Sequence, residues 1–184
     1  MTAKTVLTYA DYAALPDDGN RYELLDGELV VMPAPSIWHQ IILANLVRAL
    51  DVYVQQRQLG LILFAPLDVI FADTSVTEPD LMYVDHARMG LLARRGIEGA
   101  PALLVEVLSP SNPRHDREVK FALYARYGVP FYWIVDPEAR VLEAYRLEGG
   151  AYVLATRASG SEPCGPPPFQ DLALVVETLW RGID

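Results

Sequence analysis

The chain has 184 residues, of which 52% are apolar, so it is long and apolar enough for one domain with a sizeable core and too apolar for a disordered chain. A single cysteine, Cys164, excludes an intrachain disulfide and predicts a reducing, cytoplasmic compartment. The lack of any apolar run of about 18 residues argues against a membrane span, and the first residues have no apolar core long enough for a signal peptide. The formal net charge of −9 argues against a nucleic-acid partner, although carboxylates that bind Mg²⁺ would contribute to that sum and the metal would reverse its sign locally.

The N-terminal half predicts short helices alternating with strands. Asp26-Gly27 is a strong two-residue hairpin turn, and Ser36 is a suitable N-cap for a long helix that Gly60 ends. Pro79 is compatible only with the start or the edge of a strand, so Asp80 is expected where a strand begins. The predicted elements are a helix at 8–15, strands at 22–25 and 28–32, a helix at 36–58, and strands at 61–64, 68–71 and 81–84.

The C-terminal half predicts a strand–helix–strand crossover followed by a hairpin. Asp116 is the expected cap of the crossover helix, and Gly128 ends it. The predicted elements are a short helix at 86–95, a buried strand at 103–108, a loop at 109–113, a helix at 116–127, strands at 131–136, 141–147 and 151–156, a surface loop at 160–168, and a strand or short helix at 172–179.

This order predicts a single α/β domain over residues 1–184. A crossover between strands implies at least one parallel pair, and the hairpins imply antiparallel ones, so we expect a curved mixed sheet flanked by helices. Its core is expected at about residues 20–137, with the C-terminal hairpin and last strand added at 141–179.

Two charged residues stand where the apolar pattern calls for apolar ones. Glu106 interrupts the apolar strand at 103–108, and Lys120 shares a helical stripe with Leu123 and Tyr124. A buried charge costs several kcal/mol unless it is paired or binds a metal, so a carboxylate and an amine brought inward together indicate a site. Thirteen of the fifteen basic residues are Arg, so the lysine at 120 indicates a compact charge with an adjustable pKa, unless the choice is chance.

Asp80 adds a second carboxylate to this pair. Two carboxylates from adjacent strands that face one side can hold a divalent cation, and Mg²⁺ usually takes one or two protein carboxylates. The metal lowers the pKa of a bound water, and a lysine within reach orients that water or stabilises a phosphate. Asp80, Glu106 and Lys120 together would therefore hydrolyse a phosphodiester.

Three of these stretches also resemble a known family. "EPD" at 78–80, "LLVEVLSPSN" at 103–112 and "DREVKFALYARYGVPFYWIVDP" at 116–137 look like the PD-(D/E)XK phosphodiesterase superfamily, and more narrowly like the Uma-type family of restriction-endonuclease-like proteins, a bacterial group largely of unknown function. The resemblance runs from about Tyr9 to Leu179 and implies a restriction-endonuclease-like fold. The superfamily pattern has lysine two positions after the second acid, where this chain has Leu108, so the match requires Lys120 to replace it from the next helix.

The resemblance also implies a role for each residue of the site. Asp80 and Glu106 would be ligands of Mg²⁺ or Mn²⁺, with the Val107 carbonyl as a third ligand, and Lys120 would position the water or stabilise the phosphate. Glu23 would be an accessory acid, although a solvated hairpin carboxylate is the simpler interpretation. His39 would face the same pocket, although a core or helix-start histidine explains its position equally well. Asp68 and Tyr124 are weaker candidates, and Tyr124 is more simply a core residue.

These residues predict a Mg²⁺-dependent endonuclease that hydrolyses DNA. Such an enzyme needs cations around its acidic pocket to hold phosphates, and Arg114 and Arg117 are the expected substrate-binding residues, with Arg126 and the arginines of 88–95 as alternatives. A nuclease that cuts both strands would suit a two-fold dimer.

Two other interpretations remain open. The fold could serve as a nucleic-acid or protein interaction module with a vestigial site, which the acidic balance favours. Glu106 and Lys120 could instead form a structural ion pair. Acyl transfer by Ser109 or Ser111 with His115 is disfavoured because no nucleophile elbow is present, and the histidines lack zinc-site spacing.

Overall fold

The computed structural model describes residues 5–109 and 113–183. Its α-helices are α1 (Tyr9–Ala13), α2 (Ile37–Arg57) and α3 (Phe121–Arg126), and a π-helical segment (His115–Lys120) directly precedes α3. The strands are β1 (Arg21–Leu25), β2 (Glu28–Met32), β3 (Gly60–Phe64), β4 (Val69–Ala72), β5 (Ser75–Thr77), β6 (Leu81–Asp85), β7 (Leu92–Ala93), β8 (Gly96–Glu98), β9 (Leu103–Val107), β10 (Phe131–Asp136), β11 (Val141–Glu148), β12 (Ala151–Ser159), β13 (Pro163–Cys164) and β14 (Leu174–Val175). Two 3₁₀ helices, His86–Leu91 and Val176–Trp180, complete the described elements.

The described strands form two mixed six-stranded sheets and a short two-stranded pair. The sheet with the longer strands, called the larger sheet, has the order β12-β11-β10-β9-β6-β3. The other, called the smaller sheet, has the order β2-β1-β5-β4-β8-β7. In the larger sheet β9 and β10 run parallel, because the chain crosses between them through the π-helical segment and α3. The predicted α/β fold with a mixed sheet is confirmed.

Side-chain alternation along β9 divides the core into two layers. Leu103 and Val105 pack toward α2 and the C-terminal segment. Leu104 and Leu108 belong to a second layer, which the larger sheet shares with the smaller sheet and α3. Glu106 has the same parity as Leu104 and Leu108, so its side chain points into this second layer. A carboxylate is thereby carried between the two sheets.

Helix α2 begins and ends within one residue of its predicted bounds, although the residue that ends it is not the predicted one. The Ser36 hydroxyl accepts a hydrogen bond from the His39 amide at 3.2 Å, which fixes the first turn. The end is Gln58, which takes a left-handed conformation with φ of 53°, so the prediction that Gly60 ends the helix is wrong. Gly60 instead opens β3 with φ of 145°, where a Cβ would lie 2.1 Å from the Val84 carbonyl oxygen. Within the described residues, no helix has the length and apolarity needed to cross a membrane.

The crossover helix differs from prediction in its first turns. Asp116 is not a cap but lies inside the π-helical segment, where it is buried together with His115 and Lys120. A π-helical turn carries one extra residue, so it shifts which side chains face inward. The segment therefore turns three polar residues, which no single α-helical stripe would group, toward the layer between the sheets.

Several shorter predictions also need correction. The helix expected at 86–95 is a 3₁₀ helix followed by the β7–β8 hairpin, and β5 is an unpredicted strand of three residues. The loop at 160–168 contains β13 and buries Pro166 and Pro167, so it is not a surface loop throughout. The last segment, 172–179, contains both β14 and the second 3₁₀ helix.

Candidate functional site

Lys120 lies between two buried glutamates that come from different sheets. Its Nζ is 2.8 Å from Glu23 Oε1 on β1 and 3.0 Å from Glu106 Oε1 on β9. The exposed fractions are 2% for Lys120, 3% for Glu106 and 0% for Glu23, so this cluster is removed from water. The crossover returns the chain over β9, and this topology places the lysine beside the strand carboxylate.

Asp80 lies opposite Glu106 in the larger sheet. The antiparallel register pairs Leu81 of β6 with Val105 of β9, so the next pair outward joins Asp80 and Glu106 on the same face. Directly opposed residues in an antiparallel pair have Cβ atoms about 4.5–5.5 Å apart. The two carboxylates that sequence reasoning selected are therefore neighbours.

Asp80 is held by one main-chain donor and one histidine. Its Oδ2 accepts a hydrogen bond from the Val107 amide at 2.8 Å and lies 2.9 Å from His39 Nε2. The Ser36 cap fixes the first turn of α2, from which His39 reaches Asp80. The other ring nitrogen, His39 Nδ1, is buried without a hydrogen-bonding partner in the described residues, so Asp80 is the polar group that orients this ring.

Glu23 and Glu106 have further partners that sequence reasoning missed. The Tyr124 hydroxyl donates a hydrogen bond to Glu106 Oε1 at 2.8 Å, and His115 Nε2 lies 3.1 Å from Glu23 Oε2. The Glu78 amide donates to Glu23 Oε1 at 3.0 Å. Tyr124 could have been assigned to the site from its position one turn after Lys120. No α-helical spacing predicts His115, because the π-helical geometry turns its side chain toward Glu23.

The positive charge of Lys120 affects the pKa values of its two glutamate neighbours, Glu23 and Glu106, to different extents. Burial acts to raise the pKa of Glu23, but the Lys120 charge and hydrogen bonds from His115, Lys120 and the Glu78 amide outweigh it and lower that pKa to about 2. Burial acts to lower the pKa of Lys120, but the surrounding carboxylates, first of all Glu106, hold it well above its usual range. Glu23 and Lys120 are therefore an ionised pair.

Glu106 has the opposite shift. Burial raises the pKa of Glu106 well above its usual range, Lys120 only partly offsets this, and the charges of Asp116, Asp80 and Glu23 raise it further. Burial also raises the pKa of Asp116, which lies 3.7 Å from Lys120. More carboxylates crowd this site than its one lysine neutralises, and an additional cation would relieve that repulsion.

A cavity of about 250 Å³ opens onto these groups. Its polar wall consists of His39, Asp80, Glu106, Asp116 and Lys120 together with the end of β9. Its other walls come from the loop before α2, the turn after β10 and the C-terminal segment. Glu23 does not line the cavity, so it contacts the site from behind, through Lys120.

The predicted phosphate-binding arginines lie elsewhere. Neither Arg114 nor Arg117 lines the cavity. Arg117 is bound at 2.5 Å to Glu143 and at 3.0 Å to Asp136, and Arg114 is an exposed residue 3.8 Å from Glu118. The arginines among the cavity-lining residues are Arg21 and Arg140, which the sequence did not single out. Asp68 is also outside the cavity and accepts a hydrogen bond from the Tyr12 hydroxyl at 2.8 Å.

The donor set fits a hard divalent cation with few protein ligands. Asp80 Oδ1 and Glu106 Oε2 make no hydrogen bond to the described part of the chain, and both residues border the cavity. In residues 5–109 and 113–183, no three side chains of His, Cys, Asp or Glu are grouped to bind one metal ion. The protein would thus supply two carboxylates and a main-chain carbonyl at most, and Mg²⁺ commonly keeps several waters in such sites.

Comparisons with known proteins identify the family and the fold. The model of the Uma2 family, described as "putative restriction endonuclease", matches residues 9–177. A crystal structure of a putative nuclease belonging to DUF820 from Anabaena variabilis ATCC 29413 has a TM-score of 0.77 and 20% sequence identity, and covers 95% of this chain and 97% of the other. The comparison with curated proteins finds no match. At this identity the structural likeness establishes the fold alone.

Proposed function

This chain belongs to the Uma2 family of putative restriction endonucleases, and we propose that it is a Mg²⁺- or Mn²⁺-dependent endonuclease that hydrolyses DNA phosphodiester bonds. One observation carries the proposal: Asp80, directly before β6, is next in register to Glu106 of β9, and Lys120 lies 3.0 Å from Glu106 at the wall of one cavity. Two carboxylates and a lysine at one wall are the groups that metal-assisted phosphodiester hydrolysis uses.

Asp80 and Glu106 would hold the cation through the oxygens that face the cavity, with the Val107 carbonyl as a further ligand. The ion would supply a water of lowered pKa and positive charge next to the phosphate. His39 and the Val107 amide fix Asp80, so this carboxylate is oriented before any ligand arrives. Such partners around a ligating carboxylate commonly change metal affinity about 10- to 100-fold when they are removed.

Lys120 would orient the attacking water or stabilise the negative oxygens of the phosphate. Its ammonium group stays ionised because Glu23 and Glu106 flank it. Glu23 keeps this lysine in place from behind, which makes it a positioning residue rather than a metal ligand. A fixed positive charge in a water-poor site stabilises the charge that develops at the phosphate more than it would in water.

The test combines metal binding with cleavage of supercoiled plasmid. We expect the wild type to nick DNA with Mg²⁺ or Mn²⁺, and Asp80→Asn and Glu106→Gln to lose metal binding in calorimetry together with nicking, by at least about tenfold. Asp68→Asn is the control, because this partly buried carboxylate lies outside the cavity. Cleavage that persists in both carboxylate variants would overturn the proposal.

A second function, a nucleic-acid or protein interaction module with a vestigial site, is favoured by two observations. The net charge is −9, and the arginines expected to hold phosphates, Arg114 and Arg117, lie outside the cavity. In that case the folded protein would bind a partner tightly and would show no turnover with any metal.

A further inference from the structure

The reacting groups of the proposed site are recessed, and this limits what can reach them. Lys120 is 2% exposed, Glu106 3% and Asp80 5%, and they are reached through a cavity of about 250 Å³. Pockets for small ligands are typically about 300–1,000 Å³, so this cavity is at the small end and has room for part of one nucleotide rather than for a length of duplex. The phosphates of a regular duplex lie on the outside of a wide, stiff helix that cannot enter this cavity, whereas a flexible single strand or an extruded nucleotide can bring a phosphate to Lys120.

The cavity lining also includes apolar side chains and one exposed tryptophan. Trp38 lines the cavity, is 47% exposed and directly precedes His39, which contacts Asp80. Pro33, Pro35 and Trp180 extend this apolar surface. An aromatic ring beside a backbone-binding site is the means by which proteins hold unpaired bases, since every base has a face that can stack.

The charge around the cavity points to the same ligand. Duplex binding depends on many phosphate contacts from Lys and Arg. Here the protein has a net charge of −9, and the Arg21 guanidinium is already bound to Glu78 at 2.7 Å. With only Arg21, Arg140 and Lys120 as lysines and arginines among the cavity-lining residues, the described surface near the site offers stacking rather than a wide basic track.

From these three observations we propose that the site selects an unpaired nucleotide, whose base stacks on Trp38 while its phosphate lies at Asp80, Glu106 and Lys120. The substrate class is then single-stranded DNA, or duplex DNA with an unpaired or extruded nucleotide. This inference rests on the proposed function for the phosphate end of the site, while the base-stacking end is independent of whether hydrolysis occurs.

The experiment measures binding without turnover, so that it does not depend on activity. The protein is titrated at one fixed salt concentration, without divalent metal, with a short oligothymidylate, a fully paired duplex, and the same duplex with one central unpaired thymidine. Tryptophan fluorescence is followed, and Trp38→Phe separates the signal of Trp38 from the buried Trp133 and Trp180. We expect quenching by the oligothymidylate in the wild type, clearly weaker quenching in Trp38→Phe, and about tenfold tighter binding of the two unpaired substrates than of the duplex.

The matched control is Phe64→Ala, which removes another exposed aromatic ring, 55% exposed and outside the cavity. Trp38→Ala should weaken oligothymidylate binding about tenfold, Trp38→Phe should restore most of it, and Phe64→Ala should leave it unchanged. Equal binding of duplex and single strand, or binding that is indifferent to Trp38→Ala in a folded protein, would overturn this inference. If regular duplex is nicked as fast as single strands are cleaved, the preference for an unpaired nucleotide is overturned, while the proposed nuclease function stands. If binding depends on Trp38 but no cleavage occurs, the preference is supported and the nuclease function is not.

Discussion

Lys120 lies closer to Glu23 than to Glu106: its Nζ is 2.8 Å from Glu23 Oε1 and 3.0 Å from Glu106 Oε1. Glu23 is on the smaller sheet and does not line the cavity, whereas Glu106 is on the larger sheet and does. The lysine is thus fixed from behind by one sheet, and its charge is presented toward a site built on the other. The packing of the two sheets sets the position of the catalytic candidate.

Replacing Glu23 should separate the positioning of Lys120 from metal binding. In Glu23→Gln the ion pair is lost while Asp80 and Glu106 keep their geometry, so we expect metal affinity within about threefold of wild type and nicking slowed about 10- to 100-fold. Calorimetry gives the first quantity, and single-turnover nicking gives the second. Asp68→Asn serves as the control for loss of a partly buried carboxylate outside the site. A loss of metal affinity as large as that in Glu106→Gln would contradict the positioning role and make Glu23 a ligand.

His115 should act on the same lysine from one step further away. Its Nε2 lies 3.1 Å from Glu23 Oε2, so His115→Leu leaves a buried carboxylate oxygen without a partner. We expect a loss of about 1–3 kcal/mol in the free energy of unfolding, as for other buried polar groups that lose a partner, and slower nicking at unchanged metal affinity. His115→Gln, whose amide can still donate, should recover most of both. Urea unfolding and nicking on the two variants check this, and a Leu variant equal to wild type in both would exclude the role.

A site residue can be predicted from the sequence when its type departs from the expected pattern of apolar and polar positions. Glu106 and Lys120 are visible because a charge in an apolar strand or stripe is costly, and Asp80 is visible because Pro79 marks a strand start. Tyr124 is only a weak candidate in the sequence, because a tyrosine satisfies an apolar stripe whether or not its hydroxyl has a partner. His115 escapes prediction because a π-helical turn shifts its direction, and no spacing rule for α-helices anticipates that shift.

The fold also has some features that local sequence signals predict and others that they do not. The β1–β2 hairpin, α2 and β10 follow from local signals in turns, caps and continuous apolar runs, and their bounds agree with prediction within about two residues. The division of the strands into two sheets does not follow from such signals, since it depends on packing between distant segments. The role of Glu23 depends on that packing, because only the smaller sheet brings β1 opposite the crossover helix.

The two glutamates should give the metal-free protein opposite pH dependences. The pKa of Glu23 is lowered from 4.5 to about 2, so its contribution to the free energy of unfolding, on the order of 3 kcal/mol, is present above pH 4.5 and is lost as the pH falls toward 2. The pKa of Glu106 is raised above 4.5, so its contribution is present below that value and is lost as the pH rises through the folded-state pKa. Stability without metal should therefore be greatest near pH 4.5.

Urea unfolding from about pH 3 to about pH 8 measures this dependence. Glu23→Gln should flatten the acid side of the profile, and Glu106→Gln should flatten the neutral side, where Asp116 contributes in the same direction as Glu106. Added Mg²⁺ should stabilise the wild type more at pH 8 than at pH 5, because ligand carboxylates must be ionised. A profile that is unchanged in both variants would show that these carboxylates titrate alike in the folded and unfolded protein.

The Lys120–Glu23 pair itself should couple strongly in a double-mutant cycle. Lys120→Met leaves Glu23 and Glu106 buried without their cation, and breaking a buried pair from one side typically costs about 3–5 kcal/mol. The double variant Lys120→Met/Glu23→Gln removes one of the orphaned charges, so it should be more stable than Lys120→Met by at least about 1 kcal/mol, while both remain inactive in nicking. Urea unfolding of the four proteins gives the coupling energy, and the double variant keeps the measurement possible if Lys120→Met alone does not fold. Additive effects of the two substitutions would mean that Glu23 is not the main partner of the Lys120 charge. Glu106 and Asp116 would then be the residues that hold the lysine in place.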